Sequence, residues 1–293
     1  MIKEDIDMIR INGGKFNDAE FHNGEVIFEK PALISEVNNT IEMYFESNKD
    51  ITALLFARQY LAEECPDAIC DLMMLYCPYE RMDREINKQM FSMKYFAEII
   101  SKFNFSNVYI LDPHSDVCVD QLKKAGVNVY IVDLEGYVRN VIRQFNPDYI
   151  CYPDKGAYNK YPKVLSHIDI PYFYGQKTRD LENKGRIVNY ELVDAPDLTG
   201  KKVLIIDDIC CLGGTAYNAA TQMKLAGAKE VAFYISHCEN GIFAGKILHP
   251  EPCVPADSDV KQLPWAGAYT IDKVYTVDTM MLNNTHENII IIK

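Results

Sequence analysis

The sequence predicts an α/β fold made of mainly parallel sheets flanked by helices. First, short apolar runs lead into acids four times: Val108 to Leu111 into Asp112, Val127 to Val132 into Asp133, Tyr149 to Tyr152 into Pro153-Asp154, and Val203 to Ile206 into Asp207-Asp208. Second, helical segments separate these runs, and Val203 to Ile206 has no polar alternation, as suits a strand covered on both faces. Ligands of open α/β sheets bind beyond the carboxyl ends of the strands, so these acids can converge on one crevice. The same order of strands and helices in both halves predicts two similar domains, residues 1–134 and 135–293.

The stretch Val203 to Thr215 organises the chain. It reads as a strand, then a turn through Gly213-Gly214, then a helix capped by Thr215 and running to about Ala226. Free N–H groups and the positive end of the helix dipole face the turn, which makes a phosphate seat with two acids beside it. The alternative is a tight strand-to-helix turn with acids at a solvated strand end.

Composition narrows the function. A chain of 293 residues with 48% hydrophobic content can bury one large or two ordinary cores. A net charge of −12 argues against sequence-independent binding to nucleic acid or to an anionic membrane, so a phosphate ligand must rely on a few local cations. Nine cysteines without a CxxC pair, behind an acidic start with no secretory leader, point to free thiols in a reducing cytoplasm. No apolar run reaches the ~18 residues of a membrane span.

Taken in order, Phe21 to Phe28 reads as a hairpin or exposed loop, Ile51 to Phe56 as a strand and Ala57 to Glu64 as a helix. Tyr79 to Lys88 is a charged loop, and a helix follows from Ser92 to Lys102 with its apolar face at Tyr95, Phe96, Ile99 and Ile100. Ile170 to Gly175 is a strand before a polar loop, Gln176 to Gly185, which holds Lys177 and Arg179. Gly227 ends the central helix, Val231 to Ile235 is the next strand, and Lys273 to Val277 and Asn288 to Ile292 are two more.

Six segments together resemble the ribose-phosphate diphosphokinases. Phe21-His22-Asn23-Gly24-Glu25 is similar to that family's Phe-x-Asp-Gly-Glu, and Tyr79-Glu80-Arg81-Met82-Asp83-Arg84 to its Tyr-Ala-Arg-Gln-Asp-Arg. Leu111-Asp112-Pro113-His114 is similar to its Asp-Leu-His, Pro153-Asp154-Lys155-Gly156 to its Pro-Asp-x-Gly, Lys177-Thr178-Arg179 to its Lys-Arg-Arg, and Val203 to Thr215 to its phosphoribosyl loop.

The resemblance implies two phosphoribosyltransferase-type domains and transfer of diphosphate from ATP to ribose 5-phosphate. It implies Lys177 and Arg179 as catalytic cations, with Phe21, Asn23, Glu25, Arg81, Met82 and Asp83 at ATP. Asp207 and Asp208 would take the ribose diol, and Cys211, Leu212, Gly213, Gly214 and Thr215 the 5-phosphate. Mg²⁺ would be held from Asp112, His114 and Asp154, the carboxylates being the harder donors. In the family the adenine contacts come from a neighbouring subunit, which implies a homo-oligomer.

Departures point to specificity. Leu212 removes a hydroxyl donor from the family's Thr-Gly-Gly-Thr or Thr-Ala-Gly-Thr, Met82 replaces a Gln, Lys155 a His and Lys160 an Arg. Leu212 could pack against a group esterified to the phosphate, so ADP-ribose is an alternative acceptor, giving ADP-ribose diphosphate for nucleotide or NAD synthesis. A phosphoribosyltransferase and a non-catalytic regulatory homologue are the remaining alternatives. Arg81 has no obvious task in the first, and retention of Lys177, Arg179, His114 and Asp154 speaks against the second.

Overall fold

The computed structural model describes residues 8–292 except 17, 23–24, 87, 181–185, 254–261 and 281–283. Two compact units divide the chain between Val132 and Asp133, except that Thr279 and Met280 group with the first unit.

The first unit contains β1 (Ile9–Ile11), β2 (Gly14–Lys15), β3 (Asp18–Glu20), β4 (Val26–Phe28), β5 (Asn38–Met43), α1 (Asn48–Glu64), β6 (Ile69–Met73), α2 (Ser92–Lys102), β7 (Asn107–Leu111), α3 (Asp116–Lys124) and β8 (Val129–Val132). Its main sheet has the order β2-β1-β5-β6-β7-β8, and β3 pairs separately with β4. Pairing is parallel from β5 to β8 and antiparallel at β1 and β2.

The second unit contains α4 (Leu134–Phe145), β9 (Tyr149–Tyr152), α5 (Lys155–Val164), β10 (Tyr172–Asp180), β11 (Arg186–Val193), β12 (Lys202–Cys210), α6 (Gly214–Leu225), β13 (Glu230–Cys238), a 3₁₀ turn (Asn240–Ala244), β14 (Lys273–Val277) and β15 (Ile289–Ile292). Its sheet order is β11-β10-β9-β12-β13-β14-β15. Every pairing is parallel except that of β10 with β11. Both units are therefore α/β with mainly parallel sheets. The uninterrupted apolar run of β12 explains its central place: Val203, Leu204, Ile205 and Ile206 are all buried, as are Val231 to Ile235 in β13. Ala219, Ala220 and Met223 of α6 pack in the same core as Val203, Ile205 and Phe233.

Three local expectations change. Ile51–Phe56 belongs to α1, which buries Ala53, Leu54, Ala57 and Leu61 at helical spacing. Asp50 starts this helix: its Oδ2 accepts the N–H groups of Ser47 at 2.7 Å and Glu46 at 2.9 Å. A carboxylate three residues past Ser47 thus outweighs the strand propensity of the apolar run. In α2 the buried face is Met93, Phe96, Ala97 and Ile100, whereas Tyr95 and Ile99 are exposed. Tyr95 instead stacks under Lys94, whose Nζ lies 4.9 Å from the ring centre. Finally, the polar stretch after Gly175 is not all loop: residues up to Asp180 continue β10 in an antiparallel hairpin with β11. All nine cysteines are free thiols, and among the described residues no helix is long and apolar enough to cross a membrane.

Candidate active site

In the second unit, neighbouring β9 and β12 carry the site. Ile205 pairs with Cys151, and two residues farther along each strand the chain reaches Asp207 and Pro153, with Asp208 and Asp154 next. The acids do not end the strand as the sequence suggests. β12 continues to Cys210, pairing Ile209 with His237 and Cys210 with Cys238. Carboxylates make this extension possible: Asp208 N–H donates to Asp207 Oδ1 at 3.1 Å, and Ile209 N–H to Asp208 Oδ1 at 2.9 Å. Side-chain acceptors thus compensate the backbone locally.

The turn that follows is short. Cys211 and Leu212 are exposed, Leu212 by 55%. Gly213 has φ of 74°, and a Cβ there would stand 2.1 Å from Ile247 Cδ1, so glycine is required on both counts. Gly214, where a Cβ would meet nothing within 4 Å, has no such steric requirement. Gly213, and not Thr215, is the N-cap of α6, without a side-chain cap bond. Thr215 is the second residue of the helix, in the first turn, whose N–H groups have no intrahelical acceptors.

Asp154 is the N-cap of α5: its Oδ1 accepts Ala157 N–H at 3.0 Å, while its Oδ2 accepts Lys177 Nζ at 2.6 Å. Burial raises the Asp154 pKa, but the Lys177 and Ala157 hydrogen bonds outweigh it and hold the carboxyl below its ordinary value. Asp207 goes the other way. Burial, then the charge of Asp208, then that of Asp154 push its pKa well above the carboxylate range. A pocket with this balance favours a ligand that donates hydrogen bonds or a cation.

Lys177 reaches Asp154 from β10, opposite Tyr190 on β11. Tyr190, which sequence reasoning missed, crosses Gly175 and donates its hydroxyl to Pro153 O at 2.8 Å. A Cβ at Gly175 would lie 1.8 Å from that hydroxyl, so the glycine lets Tyr190 clamp the end of β9 beside Asp154. A glycine inside an otherwise aromatic strand was the available signal. The backbone of Arg179 pairs with Ile187, past a register shift between Thr178 and Arg179. Its side chain, and residues 181–185, lie outside the described set. Asp133, one of the four strand-end acids, caps α4 by accepting Glu135 N–H at 3.0 Å.

In the first unit, Phe45, Ser47, Asn48, Tyr76, Tyr79, Arg81 and Met82 line a cleft of about 300 Å³ at the start of α1. The Tyr79 hydroxyl donates to Asn48 Oδ1, and Tyr79 adopts φ of 65°. Met82 is exposed, whereas Asp83 accepts Ser115 Oγ at 2.8 Å and so fastens the loop to the start of α3. Asp112 is buried at the end of β7, and His114 is exposed, its N–H donating to Glu80 Oε2 at 3.3 Å. Phe21, exposed by 54%, and Glu25 face each other beside the β3–β4 hairpin, Phe21 N–H donating to Glu25 O at 2.8 Å. Asn23 lies outside the described residues.

A parallel sheet whose central strand carries paired acids and a glycine turn into a helix defines an enzyme of the phosphoribosyltransferase-domain class. The phosphoribosyl transferase domain family matches residues 129–248. The chain is 25% identical over 223 residues to a ribose-phosphate pyrophosphokinase from Sulfurisphaera tokodaii, covering 74% of each chain. It is 24% identical over 301 aligned positions to the enzyme of that name from Clostridium acetobutylicum, covering 94% of this chain and 85% of the relative. Its fold matches the phosphoribosylpyrophosphate synthetase from Mycobacterium smegmatis with a TM-score of 0.69 and 16% identity, over 95% of this chain and 85% of that one. Over most of its length the chain is thus similar to ribose-phosphate pyrophosphokinases, and its residues 129–248 match the phosphoribosyl transferase domain.

Proposed function

We propose that the enzyme transfers the diphosphoryl group of ATP to the anomeric hydroxyl of ribose 5-phosphate, forming phosphoribosyl diphosphate and AMP. The observation that carries this reading is the Lys177 to Asp154 contact of 2.6 Å beside the Asp207–Asp208 pair. One cation and three carboxylates suit a neutral diol at one end and a charged phosphoryl group at the other. Asp207 and Asp208 accept the two ribose hydroxyls, which offsets their mutual repulsion. The turn Cys211 to Gly214 and Thr215 receive the 5-phosphate on backbone N–H groups and one hydroxyl.

The anomeric oxygen attacks the β-phosphorus, the bond from that phosphorus to the bridging oxygen of AMP breaks, and the hydroxyl proton passes to solvent. Catalysis is then alignment and neutralisation of charge. Lys177 and Arg179 offset charge on the transferred group and on the departing oxygen. Arg81, Met82 and the cleft beside them hold ATP, Asp83 fixes that loop, and Phe21, Asn23 and Glu25 contact the adenine of a neighbouring subunit in a homo-oligomer.

Among the described residues no three His, Cys, Asp or Glu side chains converge to hold an ion. Burial and the neighbouring charges of Asp208 and Asp154 raise the Asp207 pKa, and a hard cation that arrives with the substrate phosphates would relieve that repulsion. Mg²⁺ would supply that neutralisation, with Asp154 as the second unit's donor; His114, exposed in the first unit, is a donor that the family resemblance implies. Asp112, buried at the end of β7, is the further carboxylate that the family resemblance implies.

ADP-ribose is the second acceptor to consider, because exposed Leu212 stands at the phosphate turn where a hydroxyl would serve a terminal phosphate. Incubation with ATP, Mg²⁺ and each acceptor, followed by product mass spectrometry, tests both readings. Release of AMP with neither acceptor would exclude the proposed transfer.

A further inference from the structure

We infer that Lys246 is a binding contact for the acceptor's 5-phosphoryl group, an inference that rests on the ribose-phosphate reading of the second unit. The residues on either side of Lys246 are locked onto the turn. A Cβ at Gly245 would lie 2.1 Å from Leu212 O, and Ile247 Cδ1 fills the place a Cβ would take at Gly213. Residue 246 is therefore held at the rim of the turn by close packing on both sides.

The side chain is held as well. Lys246 Nζ lies 5.0 Å from the centre of the Tyr217 ring, and Tyr217 N–H donates to Gly213 O at 2.9 Å. A buried frame fixes that ring: Tyr217 donates to Glu251 Oε1 at 2.6 Å, Thr270 Oγ1 donates to the same oxygen at 2.5 Å, and Trp265 Nε1 donates to Thr270 Oγ1 at 3.0 Å. Burial and then the Glu251 hydrogen bond push the Tyr217 pKa up to about 12, so the ring stays neutral beneath the ammonium.

The charge of Lys246 is exposed, and among the described residues no carboxylate forms an ion pair with it. The turn needs such a cation. Asp207 and Asp208 repel a phosphate dianion, and the Leu212 side chain contributes no hydrogen bond. A terminal phosphate monoester and a phosphoryl group esterified further share the anionic oxygens that Lys246 would meet.

Isothermal titration with ribose 5-phosphate and with ADP-ribose, without ATP, tests this on wild type, Lys246→Ala, Lys246→Arg and Lys229→Ala. Lys229 is an exposed lysine beside Glu230 and controls for net charge. For the acceptor that wild type binds, Lys246→Ala should raise Kd at least about fivefold, with Lys246→Arg within about twofold and the difference shrinking with salt. An unchanged Kd in a folded Lys246→Ala protein, or an equal loss in Lys229→Ala, overturns the assignment of Lys246 alone. Failure of wild type to bind either acceptor overturns the ribose-phosphate reading and Lys246 with it.

Discussion

Lys177 Nζ lies 2.6 Å from Asp154 Oδ2, joining the antiparallel hairpin to the first turn of α5. The bond does two things at once. It keeps Asp154 ionised despite burial, and it parks the cation next to the acids that would receive the ribose. Lys177→Ala should lower single-turnover AMP release by about 10²–10³-fold while leaving ribose 5-phosphate binding within about threefold. Turnover within about threefold of wild type would remove Lys177 from the chemistry.

The same pair predicts a pH signature. Because the folded pKa of Asp154 is depressed, its contribution to stability is present above the unfolded value of about 3.9 and is lost as pH falls through the folded one. Urea melts of wild type and Lys177→Ala should therefore differ at neutral pH and converge below about pH 4. A constant difference across that range would show that the pair does not set the Asp154 pKa.

Asp207 has the opposite sign. Its raised folded pKa means that stability present below about pH 3.9 is lost as pH rises through the folded value. Asp207→Asn should melt higher than wild type at neutral pH, by ~2–4 °C for each 1 kcal/mol regained, while kcat/KM for the acceptor falls. The acid limb of kcat/KM should also lie above the ordinary carboxylate range and move down in Asp208→Asn. Calorimetry and a pH–rate profile check the two halves separately.

Gly213 and Gly214 look alike in the sequence and differ in the structure. Gly213→Ala places a side chain at φ of 74° against Ile247 and should cost about 1–3 kcal/mol, whereas Gly214→Ala meets nothing within 4 Å and should be close to neutral in stability. Equal effects in denaturant melts would contradict the turn geometry.

Leu212→Thr restores a hydroxyl at the exposed turn and should tighten ribose 5-phosphate binding by about threefold to tenfold, the net worth of one ordinary hydrogen bond. If Leu212 packs on an esterified acceptor, ADP-ribose binding should weaken in the same variant. Binding titrations with both acceptors read this directly.

The parallel sheets were legible because Val203–Ile206 in β12 and Val231–Ile235 in β13 run without polar alternation, a pattern that suits a doubly covered strand. The α1 segment misled because Ile51 to Phe56 satisfies either period until Asp50 is recognised as a helix start. The acids and the glycine turn were legible as residue types. Their geometry was not: the extension of β12 past Asp208 depends on carboxylate-to-backbone bonds, and the Gly213 cap on Ile247 thirty-four residues away. Tyr190 escaped notice for the same reason, since its role exists only once its ring passes over Gly175 to reach Pro153.

The central claim is diphosphoryl transfer to a ribose-phosphate acceptor. ³¹P NMR of the products from ATP, Mg²⁺ and ribose 5-phosphate tests it most directly. Phosphoribosyl diphosphate and AMP in equal amounts, lost together in Lys177→Ala, is the predicted result. ADP or free diphosphate in place of AMP, or no turnover with ribose 5-phosphate or ADP-ribose, would contradict it.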